Sequence, residues 1–290
     1  MYRTFIAAFV IALVAGLTPE SGKLLVKPEW LAAHLKDANL VILAMDQDDF
    51  ESGHIPGARP FSYMDTHLMQ SNGLSLEMPP AEQIAKTFAA LGVSNNSRVV
   101  LYSDDHQLAP VARVWTTLEL IGLGRQVSIL DGGLAAWNAA HFPLAKGSAA
   151  QATGVLTPHP QADVVVDYDY VNAHLHQPGF TIIDARLEPF YTGARHAGGQ
   201  RAGHIPGAVN IPFTSITHAD GTVKSEADLA DIFRSAGVKP GQSLIVYCHI
   251  GQQANAVRFA ATMLGFKARL YDGSWEDWSR HAGAPAVSGK

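Results

Sequence analysis

One hexapeptide, Gly-His-Ile-Pro-Gly-Ala, occurs twice in this chain, at Gly53–Ala58 and again at Gly203–Ala208. The same landmarks follow each copy in the same order. Arg98–Tyr102 (RVVLY) matches Ser243–Tyr247 (SLIVY), and Leu130-Asp131-Gly132-Gly133 with Trp137 matches Tyr271-Asp272-Gly273-Ser274 with Trp278. A period this long is not that of a solenoid. It requires two tandem copies of one domain of ordinary size. The boundaries read as residues 23–146 and 164–290, with a Gly/Ala/Thr/Pro/Gln-rich linker over 147–163. Within each copy apolar strand-length runs alternate with helical periodicity. This calls for an α/β fold in which a mostly parallel sheet is flanked by helices. The glycines and proline of the repeat are turn chemistry. Because both copies carry it, His54 and His204 read as scaffold.

The chemistry points to the second copy. Leu244–Tyr247 is one buried strand, Cys248 follows it as the sole cysteine, and a loop His249-Ile250-Gly251-Gln252-Gln253 leads into a helix that stops at Gly265. Ligands bind at such a strand-to-helix edge, where unpaired N–H groups and the helix dipole favour a thiolate. Amides from His249 through Ala254 can converge on an anion there, and Gly251 lets the backbone curl. In the first copy Ser103 stands opposite Cys248. Asp104, Asp105 and His106 replace the loop, so carboxylates lie where the second copy offers N–H groups. The first copy therefore reads as catalytically silent, covering the second and shaping its cleft.

Composition removes other classes. The net charge of −5 gives no basic footprint for nucleic acid or an anionic membrane surface. One cysteine excludes an intramolecular disulfide framework and a cysteine metal cluster. The thirteen histidines are scattered, and no metal is assigned. At the amino terminus, Arg3 precedes the apolar run Phe5–Leu17, with small residues at Ala15 and Gly16. Residues 1–20 read as a secretory signal peptide, too short for a comfortable span, which places the mature chain in the periplasm or outside the cell. Without a functional signal the chain would be cytoplasmic.

Together the tandem GHIPGA domains, the silent first copy, the cysteine loop and the DG(G/S)xxxW endings resemble the rhodaneses, and within them the two-domain thiosulfate and 3-mercaptopyruvate sulfurtransferases. The resemblance spans about residues 23–285. It implies a relay in which Cys248 takes a sulfane sulfur from a small anionic donor, holds it as a persulfide and hands it to cyanide or a thiol. It implies no metal or organic cofactor, and a monomer is expected. Arg186, two residues after Asp184, matches the arginine with which the family grips the donor; Arg195 is a second candidate. His249 stands where the family often has arginine, either as a histidinium favouring the thiolate or as a neutral ring lining the pocket. Two positions depart from the family: Ile250 stands where animal thiosulfate enzymes place lysine, and CHIGQQ replaces a CGSGVT-like loop. Thiosulfate is the expected donor, with 3-mercaptopyruvate the alternative.

Two rivals belong to other classes. A cysteine phosphatase needs an arginine six places after the cysteine to hold phosphate, and that place is Ala254. A non-enzymatic rhodanese-fold binding module has no need of the intact cysteine loop.

Overall fold

The computed structural model describes residues 23–150 and 152–289. The signal-peptide reading lies outside the described residues.

The first domain runs β1 (Leu25–Val26), α1 (Pro28–His34), β2 (Leu40–Met45), β3 (Ala58–Phe61), β4 (Leu68–Ser71), β5 (Leu74–Glu77), α2 (Ala81–Ala90), β6 (Arg98–Ser103), α3 (Leu108–Leu120), β7 (Val127–Leu130) and α4 (Gly133–Ala139). The second runs β8 (Val165–Val166), α5 (Tyr168–Ala173), β9 (Phe180–Asp184), α6 (Glu188–Tyr191), β10 (Val209–Asn210), α7 (Glu226–Ser235), β11 (Ser243–Tyr247), α8 (Ala254–Met263), β12 (Lys267–Tyr271) and α9 (Ser274–Arg280). Each domain holds a five-stranded sheet, ordered β1-β7-β6-β2-β3 and β10-β9-β11-β12-β8, and among the described residues their ladders are parallel. Position by position the two orders are the same one read in opposite directions, as duplication demands. The middle strands, β6 and β11, are buried on both faces, which is why they read as unbroken apolar runs.

The repeat motif is scaffold in both copies, as expected. His54 Nδ1 bonds the Phe50 carbonyl at 2.9 Å and His204 Nδ1 the Tyr191 carbonyl at 2.7 Å. Each motif's next amide donates to the tyrosine of the middle strand, Ile55 to Tyr102 and Ile205 to Tyr247. The tryptophan closing each domain donates to a proline carbonyl, Trp137 to Pro143 and Trp278 to Pro285. Asp167 and Ser225 cap their helices through Tyr170 N–H and Asp228 N–H.

One apolar layer joins the domains. It runs through α3 and α8, where Trp115 meets Phe259 edge-on with centroids 5.2 Å apart. Separate apolar clusters back the far face of each sheet. The antiparallel hairpin β4–β5 was not anticipated from the sequence. Its turn is Asn72-Gly73, both with positive φ (53° and 79°), the geometry that tight hairpins require. The hairpin leads the first domain onto the second: Ser75 N–H donates to Glu276 and Met78 N–H to Asp272.

Candidate active site

Cys248 follows β11, between β9 and β12 in the sheet, and α8 begins six residues later. The residue is fully buried. Its backbone is tied on both sides to the start of α9: its N–H donates to Ser274 Oγ (3.1 Å), and its carbonyl accepts from Trp275 N–H (3.0 Å). Ser274 holds this post with φ of 53°, its hydroxyl donating back to the Tyr271 carbonyl.

The loop after the cysteine curls as the sequence predicts. Gly251 has φ of 79°, and a Cβ there would lie 2.5 Å from the Asp272 carbonyl and 2.6 Å from its carboxylate. Only glycine fits. Among the described residues no amide N–H from His249 through Ala254 donates to another group of the protein. The Gly251 carbonyl, by contrast, is held by Asn255 Nδ2 (2.5 Å) and by Arg113 Nη1 (2.9 Å). With its carbonyl pinned and its amides unspent, the loop is a nest for an anion. Asn255 and Arg113 went unnoticed in the sequence. Arg113 belongs to the other domain, so no local pattern could reveal it.

His249 is a neutral ring. Burial first, then the Arg186 charge, lowers its pKa from 6.5 to about 4. Its ring meets Phe190 edge-on at 4.5 Å, and Gln200 Oε1 lies 3.4 Å from Nδ1. Of the two roles open to it, the lining one fits.

Arg186, expected as the donor clamp, stands near Cys248 and is paired within the protein. The side chain is 1% exposed, and its Nε and Nη2 are bonded to the Asp184 carboxylate at 2.6–3.1 Å and to the Gly203 carbonyl at 2.7 Å. The guanidinium lies 4.7 Å over the Trp275 ring. Two of its three nitrogens are thus engaged, while Nη1 makes no hydrogen bond among the described residues. Tyr247, whose hydroxyl donates to Asp184 at 2.7 Å, completes this buried cluster. Arg195 is different: it is exposed, makes no ion pair among the described residues, and lies 5.3 Å from the centre of the same Phe190 ring that touches His249.

The first domain closes the site. Tyr63 and the helix-borne Arg113 stand near Cys248, as Arg186 does from the second domain. The Tyr63 hydroxyl is buried and unpartnered, with the Gln252 amide beside it but outside good hydrogen-bond geometry, and burial raises its pKa to about 12. His67, also buried and without a partner on either ring nitrogen, packs on Tyr63 at 4.5 Å. The corresponding first-domain loop holds no nest: Ser103 Oγ is bonded to Asp105 Oδ1 at 2.8 Å, and Asp104 accepts from Asp48 N–H.

The rhodanese-like domain family matches the chain twice, over residues 27–140 and 167–281. The chain belongs to the rhodanese family. A Pseudomonas aeruginosa protein named "Probable 3-mercaptopyruvate sulfurtransferase" is 34% identical over 281 residues, covering 91% of this chain and 98% of the relative. The "Thiosulfate sulfurtransferase" of Azotobacter vinelandii is 29% identical over 264 residues, covering 90% and 96%. Among solved structures, the Escherichia coli 3-mercaptopyruvate sulfurtransferase SseA superposes with a TM-score of 0.77 at 30% identity, covering 87% of this chain and 99% of that one. A tandem rhodanese that is similar to these proteins over nearly its whole length is a sulfurtransferase.

Proposed function

We propose that this sulfurtransferase loads Cys248 from 3-mercaptopyruvate and discharges the resulting persulfide to a small nucleophile. The observation that carries the reading is the charge inventory of the nest: the loop amides after Cys248 are unspent, His249 is neutral and Arg186 is paired with Asp184. Thiosulfate brings two negative charges and needs fixed cations, and desolvating an unpaired anion is costly. 3-Mercaptopyruvate brings one carboxylate, which the exposed Arg195 can meet at the rim. The names of the Pseudomonas and Escherichia relatives support the same donor, in place of the thiosulfate expected from the sequence.

The step balances without a cofactor. The Cys248 thiolate attacks the donor sulfur; an S–S bond forms as the C–S bond breaks. The electron pair leaves as the enolate of pyruvate, which takes up the proton that the donor thiol gives up. The negative charge stays on the outer sulfur, where the loop amides from His249 through Ala254 can receive it. Attack on that sulfur by cyanide or a thiolate breaks the S–S bond and returns the Cys248 thiolate. Since Cys248 is fully buried, the rim side chains must move to admit the donor. The apolar segment behind Arg3 supports export of the mature enzyme, which cell fractionation tests directly.

Loading rates measured with each donor at matched concentration and pH test the reading. 3-Mercaptopyruvate should load the enzyme faster; faster loading by thiosulfate would return the assignment to that donor.

A further inference from the structure

Two guanidiniums lie near Cys248, each paired with an aspartate: Arg186 of its own domain with Asp184, and Arg113 of the first domain, behind the cysteine loop, with Asp272. Arg113 comes from the middle of α3 in the first domain and is 1% exposed. Its Nη1 donates to the Gly251 carbonyl at 2.9 Å and to Asp272 Oδ1 at 2.6 Å, and its Nη2 donates to the Leu76 carbonyl. One side chain thus ties together α3, the hairpin of the first domain, the cysteine loop and the end of β12. The equivalent arginine of the second domain, Arg258, also lies ten residues after its strand-end position. It does not reach the Ser103 loop; it turns to Glu119 (2.6 Å), Thr116 and the Ala268 carbonyl. The duplicated pair has diverged, and only the member facing Cys248 grips a loop.

We infer that Arg113 is a positioning residue of the sulfur-transfer reaction: the first domain anchors the Gly251 carbonyl of the cysteine loop and adds a second guanidinium behind it. The pinned carbonyl directs the peptide oxygen toward Arg113 and away from the sulfur, leaving the loop amides for the anion. The guanidinium itself adds a positive charge behind the anion site, 2.9 Å from the Gly251 carbonyl. Other groups facing Cys248 are accounted for. Tyr63 stays protonated, His249 is neutral, and Arg186 is paired with Asp184. Asp272 offsets part of the Arg113 charge, while Glu77, with its pKa raised to about 8, carries little negative charge at neutral pH. The inference rests on Cys248 as the sulfur carrier but not on the identity of the donor.

The test is alkylation of Cys248 by iodoacetamide from pH 5 to 10 in the full chain, with Arg113→Met, Arg113→Lys and Asp272→Asn. This readout needs no donor and stands whichever donor the enzyme takes. Arg113→Met should slow alkylation about tenfold at pH 7, the kinetic equivalent of roughly 1.4 kcal/mol. The deficit should narrow as the pH rises toward 10. Arg113→Lys should recover most of the rate. Asp272→Asn, which leaves the cation unopposed, should speed alkylation at low pH. A pH-independent change in Arg113→Met, or none, would reduce Arg113 to a brace of the interface, and so would a lysine variant as slow as methionine. If Arg113→Met does not fold, the lysine and asparagine variants decide: an asparagine variant no faster than the parent at low pH contradicts the inference.

Discussion

The amide of Met78 donates to the Asp272 carboxylate at 2.8 Å, across the seam between the domains. The mirror-image bond runs from Val223 N–H to Asp131, also at 2.8 Å. Each domain therefore captures a backbone amide of the other with the aspartate that begins its DG turn. On the Asp272 side the bond continues through Arg113 into the cysteine loop; on the Asp131 side it meets only Lys27.

This asymmetry separates stability from catalysis. Asp131→Ala should lower stability by about 1–3 kcal/mol, the range for leaving a buried donor unsatisfied, while turnover per folded molecule stays near that of the parent. Chemical denaturation with parallel activity assays checks both halves. A large loss of turnover in folded Asp131→Ala would mean that the silent site takes part.

The two arginines near the site should now behave oppositely. Arg186→Ala leaves Asp184 buried and unpaired, so it should cost about 3–5 kcal/mol of stability and slow loading and discharge together. Arg195→Ala should leave stability nearly unchanged and raise the KM for an anionic donor by about tenfold, the size of one lost charge-assisted contact. Thermal melts and single-turnover kinetics distinguish them. A selective loading defect in Arg186→Ala would restore it as the donor clamp.

The repeat, the parallel sheets and the place of Cys248 were legible because each has a local pattern: an apolar run, a turn motif, a cysteine between strand and helix. Gly251 was legible for the same reason. Arg186 was legible as an arginine at the site edge; its pairing with Asp184, two residues earlier, takes Nε and Nη2, and sequence cannot rank an internal carboxylate against a donor. Arg113 and Tyr63, with His67 packed on Tyr63, were invisible: they approach the Cys248 site across a domain interface, and nothing in their own segments marks that approach. The hairpin differs from these. Its Asn72-Gly73 turn is a strong local signal that was present and went unused.

His249 sets a pH dependence of stability. Its pKa falls from 6.5 to about 4 on folding, so the unfolded chain binds the extra proton. The stability this group contributes is complete above pH 6.5 and lost as pH falls toward 4. His249→Asn should flatten that acid arm in denaturation measured from pH 4 to 7. It should leave the shape of the pH–rate profile between 5 and 8 unaltered, because the ring is already neutral there.

Glu77 acts with the opposite sign. Burial first, then Asp272, raises its pKa from 4.5 to about 8. Its stability contribution is complete below pH 4.5 and lost as pH rises through 8. Glu77→Gln, which keeps the shape and cannot ionise, should raise the denaturation midpoint at pH 8–9 and change it little at pH 4.5. An unchanged midpoint at high pH would show that Glu77 is not held in its neutral form at the seam.

The central claim is that Cys248 carries the sulfur. The most direct measurement is the intact mass of the protein after brief exposure to 3-mercaptopyruvate without acceptor, for the parent and for Cys248→Ser. The parent should gain one sulfur atom, removable by cyanide, and the folded serine variant should gain none. A cyanide-labile sulfur on Cys248→Ser, or none on the parent, would contradict the account.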